Sequence, residues 1–212
     1  MPLNPVPSDQ IATIVTSLAM HTQPDLGPPA MSALKLVRWP NPDLEEYRAL
    51  YRAVGAPWLW FSRLVMSDSE LAAIIGSPGV VIHAATRRDG TAVGLLELDY
   101  RDAGLCELSF FGLIPAMTGR GVGGWLMQHA LRLAWRDGIS RVWVHTCTLD
   151  HPSALGFYQR HGFQPFARAV ETFSDPRLTG LLPRDSAPHV PLLGEFPVGH
   201  NTGRQADKTE PG

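Results

Sequence analysis

The sequence predicts a mixed α/β fold of the α+β kind, one sheet with helices on its flanks, and three observations lead there. From Gly79 onward, "VVIHAATRRDGTAVGLLELDY" gives two β-rich runs around Asp89-Gly90, and "LCELSFFGLI" adds a third after the turn "RDAG". An Asp-Gly pair between such runs is a hairpin signal, because that turn needs positive φ. The three runs should form an antiparallel meander. Helical spacing brackets them, with Leu44, Tyr47, Tyr51 and Val54 before and Val122, Trp125, Leu126, His129 and Leu133 after. "RVWVHTCTL" and "FARAVETF" then supply two more strands with a helix between them. The predicted order is strand, two helices, three strands, helix, strand, helix, strand.

Residues 1–34 are rich in proline and polar residues and read as an N-terminal extension, with one helical-looking piece, "QIATIVTSLAM", packing on the body. "LKLVRW" is a short strand ended by Pro40 and Pro42. Asp43 is placed as a first-turn or cap residue of the helix that follows. "APWLWFSRL" is a dense aromatic loop or short helix, and Ser67 or Ser69 can cap the helix of "SDSELAAII". Pro115 ends the meander, and the next helix should run to about Asp137-Gly138. "PSALGFYQRH" reads as a helix closed by Gly162, with Phe163 as the apolar partner of a glycine C-cap. From Ser174 onward Pro176, Pro183, Pro188, Pro191, Pro197 and Pro211 arrive without periodicity. Residues 174–212 are therefore expected to be an extended or disordered tail, leaving 35–173 as the folded body.

A chain of 212 residues, 44% hydrophobic and 18% charged, is ordinary for one globular domain with a real core. A formal net charge of -2 argues against a nucleic-acid partner. No apolar run reaches membrane-span length, and "MPLNPVPSDQ" lacks the positive start of a signal peptide. Cys106 and Cys147 make no disulfide framework and fit reduced thiols. The expectation is a soluble, cytoplasmic protein with no membrane partner.

"TGRGVGG", Thr118 to Gly124, packs four glycines and an arginine in front of a helix. Successive backbone N–H groups at a helix N-terminus, aided by the dipole, make a phosphate cradle. A P-loop would close on Lys-Ser or Lys-Thr, whereas Gly124 is followed by Trp125 and Leu126. The dinucleotide fingerprint is matched literally by Gly119, Gly121 and Gly124. It requires a strand running straight into the first glycine, and here Pro115 to Thr118 intervene. A pyrophosphate on open backbone is the reading that remains.

"LIPAMTGRGVGGWLM" resembles the acetyl-CoA loop of the GNAT-type N-acetyltransferases, whose pattern is Arg/Gln-x-x-Gly-x-Gly/Ala after an apolar-x-Pro strand end. Gly121 and Gly123 fill the glycine positions, and Thr118 stands where the family usually has Arg or Gln. "HPSALGFYQRHGF" is similar to the family's Asn-x-x-Ala-x-x-x-Tyr-x-x-x-Gly-Phe segment through Ala154, Tyr158, Gly162 and Phe163, with His151 replacing the Asn. Glu107 lies on the strand before the loop, where several members carry a glutamate. The resemblance covers roughly residues 35–173. It implies the GNAT fold, a mixed central sheet with an antiparallel meander, a splayed parallel strand pair and flanking helices. It also implies acetyl-CoA as co-substrate, held by Leu113, Ile114, Gly119, Arg120, Gly121, Val122, Gly123, Gly124 and His151.

Acetyl transfer to an amine needs a base for the amine proton, donors for the oxyanion and an acid for the leaving thiolate. By resemblance, Tyr158 is the acid, Glu107 the base, directly or through a water, and the backbone amide near Leu113 the oxyanion donor. Glu97 and His145 are the next candidates for the base. Trp58, Trp60 and Phe61 fall in the region that shapes the family's acceptor site. They could build a pocket for an apolar, aromatic or cationic amine, although core packing is the commoner role for such a segment. "HTCTLDH" contains metal-ligand types, yet no second Cys/His cluster has zinc spacing, and no metal is expected. An acyl-Cys147 route ranks below direct transfer, since buried inert thiols are the commoner case. The expected acceptor is a small-molecule amine, because no acidic run offers docking for a basic protein tail. A protein lysine acetyltransferase and a non-catalytic acyl-CoA-binding sensor domain are the alternatives. Either tail could cover an edge strand or mediate a homodimer.

Overall fold

The computed structural model describes residues 3–28 and 30–193. Its elements in chain order are β1 Gln10–Met20, β2 Lys35–Arg38, α1 Leu44–Gly55, a 3-10 turn Ala56–Trp58, α2 Asp68–Ile75, β3 Val80–Thr86, β4 Ala92–Asp99 and β5 Leu105–Leu113. A second 3-10 turn, Pro115–Met117, leads to α3 Val122–Ala134, β6 Arg141–Cys147, α4 Ala154–Arg160 and β7 Gln164–Ser174. The strands form one seven-stranded mixed sheet in the order β2-β3-β4-β5-β6-β1-β7. All neighbours are antiparallel except β5 and β6.

The meander expected from Asp89-Gly90 is present, with Gly90 at φ +88° in the turn between β3 and β4. Asp43 caps α1 by accepting from the backbone N–H groups of Glu45 and Glu46. Ser67, not Ser69, caps α2 in a reciprocal capping box with Glu70. Gly162, at φ +96°, closes α4, and Phe163 N–H donates to Tyr158 O at 3.2 Å while its ring is buried. α3 ends earlier than the glycine at 138 suggested, at Ala134, where Trp135 turns extended.

The N-terminal segment departs from the sequence reading. "QIATIVTSLAM" is not a helix on the outside of the body but β1, paired antiparallel on one edge with β6 and on the other with β7. Its Ile, Thr and Val side chains are β-branched and suit a pleated, half-buried surface. Leu18, Ala19 and Met20 are buried. The boundary drawn at residue 35 therefore cuts away an inner strand. The C-terminal segment is also partly built in, with Asp175, Arg177, Leu182 and Ala187 buried. The prolines at 197 and 211 lie outside the described residues.

Two apolar clusters sandwich the sheet. On one face α3 lays Leu126, Met127, Ala130 and Leu131 against Leu96, Leu98, Leu108 and Val142. On the other, α1 and α2 bring Tyr47, Tyr51, Val54 and Leu71 onto Ile82, Ala84 and Leu95. Each fully buried side chain of this size contributes roughly 1.5–3 kcal/mol relative to exposure. This two-sided packing holds β4 and β5 rigid, and β5 carries one wall of the site.

Candidate active site

β5 and β6 stay together only at Leu105–Arg141, Cys106–Val142 and Glu107–Trp143. Beyond these pairs β5 continues to Leu113 and β6 to Cys147, and the two strands separate. The cause is visible one strand over. Glu97 faces Phe110 and Leu98 faces Leu108, so Ser109 is the extra residue of a β-bulge. A bulge bends and over-twists its strand, and here it carries the end of β5 away from β6. Ile114 N–H donates to Val93 O, so alternation along the strand turns the Leu113 N–H to the other edge, into the gap.

The glycine loop opens beside that gap. Gly119 and Gly121 take φ +72° and +74°, a region that disfavours any residue with a Cβ. Gly121 is the N-cap of α3 and gives it no side-chain cap, which leaves the first amides of the helix open to an anion. A Cβ at Gly119, Gly121 or Gly124 would meet no protein atom within 4 Å. Internal packing thus gives no reason for these glycines, and the open backbone fits a phosphate group in chemistry. Thr118, where a longer side chain was expected, turns its hydroxyl back to donate to Pro115 O at 2.7 Å.

Gap and loop meet in a cavity of about 370 Å³. Of the residues singled out from sequence, Leu113, Gly119, Gly123, His151, Tyr158, Trp58, Trp60 and Phe61 line it. Gly121, Val122 and Gly124 sit in the adjoining turn, while Arg120 is exposed. Ile114 packs against both apolar clusters. Tyr158 is 7% exposed, and burial, with the charge of Asp150 adding to it, pushes its phenol well above the ordinary tyrosine value.

Glu107 does not line the cavity. Its Oε1 lies 3.3 Å from His145 Nδ1, and His145 does line it. The bond to Glu107 raises the imidazole above its usual 6.5, with the charges of Glu107, Asp150 and Glu171 adding to the effect and burial opposing it. Glu97, the other glutamate considered as a base, is fully buried against α1: Tyr47 Oη donates to it at 2.6 Å and the Arg63 guanidinium pairs with it. A carboxylate held by two such partners inside the core is structural.

Three further residues were not assigned to the site from sequence. Asp150 accepts from Thr146 Oγ1 at 2.7 Å, the Cys147 N–H at 2.9 Å and Trp60 Nε1 at 3.3 Å, locking the turn after β6 to the aromatic segment. Glu171 and Phe173 reach the cavity from β7, and the Phe173 ring stacks on Phe61 at 4.5 Å. Burial and the nearby Asp150 push the Cys147 thiol up, away from the thiolate a nucleophile needs. Among the described residues no group of three or more His, Cys, Asp or Glu side chains is placed to hold a metal ion. None of their helices is long and apolar enough to cross a membrane.

Residues 38–163 match the acetyltransferase (GNAT) family, and the chain belongs to it. No curated protein matches the chain. Among solved structures, the fold is similar to a GCN5-related N-acetyltransferase from Sphaerobacter thermophilus, at 19% identity and a TM-score of 0.54 over 76% of this chain and 51% of that one. A GNAT-family acetyltransferase from Novosphingobium aromaticivorans gives 19% identity and a TM-score of 0.53, over 81% and 69% of the two chains. An aminoglycoside acetyltransferase from an uncultured soil sample gives 19% and 0.50, over 61% and 88%. At such identities the likeness is one of fold, and the chain spans only about half to less than two thirds of several longer proteins it matches.

Proposed function

We propose that the protein is an acetyl-CoA-dependent N-acetyltransferase that moves the acetyl group directly to a primary amine of a small molecule. The observation that carries this reading is the single cavity shared by the glycine loop, the β5–β6 gap, His145 and Tyr158. Acetyl-CoA supplies an activated acetyl thioester when bound. The open amides from Gly119 to Gly123 would hold its pyrophosphate, and the unpaired edges of β5 and β6 would hold its pantetheine arm.

His145 faces the cavity and takes the amine proton, with Glu107 behind it fixing the ring and favouring the protonated product. This moves the base from Glu107, the sequence expectation, to the histidine it supports. As the amine nitrogen bonds to the carbonyl carbon, the Leu113 N–H donates to the carbonyl oxygen where negative charge gathers. The carbon–sulfur bond breaks, and Tyr158 gives its proton to the departing sulfur. A phenol kept protonated by burial is suited to that step. The apolar surroundings and the raised Cys147 thiol favour direct transfer over an acyl-cysteine route.

The test is acetyl transfer to a panel of small amines, followed by thiol release, for wild type and Tyr158→Phe. Loss of the acid should lower turnover by roughly 10²–10⁴-fold, with acetyl-CoA binding retained. An unchanged rate would remove Tyr158 from the chemistry. A wild type that binds acetyl-CoA yet acetylates no amine would favour a sensor domain, and transfer only to protein lysines would replace the small-molecule acceptor.

A further inference from the structure

Trp58, on the cavity wall, is backed by a part of the chain that neither the motifs nor the family match reaches. After β7 the chain turns back, and Arg177, 3% exposed, organises the turn. Its guanidinium pairs with Asp175 through Nε at 3.0 Å and Nη2 at 2.7 Å. The same group donates to the carbonyls of Ser186, Ala187, Val190 and Pro191, the Val190 bond being 2.7 Å. A buried planar fork spent on backbone carbonyls fixes a loop in one shape. Leu182 and Ala187 are thereby sealed into the same apolar cluster as Tyr51 and Leu59.

The loop so held sets the exposed His189 against Trp58. Its ring lies 5.9 Å from that of Trp58, and His151 lies 5.3 Å from the same indole. Trp58 lines the cavity and contacts one histidine from the turn after β6 and another from the C-terminal segment. Phe61, Phe110 and Phe173 make the neighbouring wall, while Glu171 and Asp150 add negative charge.

We propose that the segment from Asp175 to Leu193, clamped by Arg177, backs the acceptor side of the site from outside the cavity lining, steadying Trp58 so that the cavity takes a primary amine carried on a flat, apolar body. This rests on the acetyl-transfer reading above. Arg177 and His189 are positioning residues, since they act on the acceptor through Trp58. The aromatic walls exclude a strongly hydrated acceptor by leaving its hydroxyls unpaired, and the carboxylates favour the ammonium end.

The test titrates the full chain and its His189→Ala, His189→Phe and Arg177→Lys variants with phenethylamine in the presence of CoA, and separately with acetyl-CoA. The expected result is weaker phenethylamine binding in H189A, recovery in H189F, and a loss on the order of tenfold in R177K, the size of a misfit in an apolar pocket. Acetyl-CoA binding should stay unchanged throughout, a split that general destabilisation would not produce. H189A and R177K proteins that bind phenethylamine like wild type would overturn the proposal. So would a wild type that binds acetyl-CoA and not phenethylamine, or one that binds neither. A wild type that binds the amine with this pattern but no acetyl-CoA would keep the support of Trp58 and sink the acetyl-transfer reading instead.

Discussion

Glu107 and His145 illustrate how one contact redistributes roles inside the site. Glu107 stands 23% exposed at its side chain and His145 49%, so the histidine is the member of the pair that an acceptor can reach. A base must be neutral to take a proton. With the imidazole raised above 6.5 chiefly by its bond to Glu107, activity should climb as pH rises through that elevated value. The Tyr158 phenol, raised far above neutrality, should impose no loss on the alkaline side until well beyond it. Glu107→Gln removes the main cause of the shift and should move the ascending limb of the kcat/KM profile to lower pH. A limb that stays in place would show that His145 is not the group being read. Sequence could not assign this pair, because Glu107 and His145 sit on different strands and meet only through the parallel register at Glu107–Trp143. Tyr158 and the glycines at 119 and 121 were legible for the opposite reason. Their requirements, a helix position after a fixed motif and a positive φ, are local to a few residues.

The clearest misreading concerns an element, and it has a physical cause. In "QIATIVTSLAM", Ile11, Ile14, Val15 and Leu18 recur at the spacing of one helix face, while the alternation of a strand is blurred. What decides for the strand is tertiary: β6 and β7 offer hydrogen-bonding edges on either side of it, and β-branched residues fill that slot well. Deleting residues 1–20 is therefore predicted to abolish folding and not merely to trim a tail. Among the described residues β7 would lose its one partner strand, and β6 would be left with the short pairing to β5. Far-UV circular dichroism and thermal melts of the truncated chain check this. A cooperative melt near that of the full chain would contradict the assigned place of β1. The helices, by contrast, were readable almost to the residue where caps define them, as Asp43 and Ser67 do for α1 and α2.

At the scale of the whole molecule, the sheet converts a bulge at Ser109 into a gap between β5 and β6, and the chain order sets the glycine loop at the mouth of that gap. The fold class and the meander could be read from the sequence, and the family's motifs located the loop. The cavity itself could not be read, because its far walls come from β7 and from the turn after β6, distant in sequence and joined only by the strand order. The central claim is that this loop and gap take acetyl-CoA. It is tested most directly by calorimetric titration of the purified chain with acetyl-CoA, beside a Gly121→Val variant. The wild type should bind saturably, and the variant should lose binding, since φ +74° is strained for valine and the new side chain would stand in the anion cradle. Absence of binding in the wild type, or equal binding in the variant, would contradict the account.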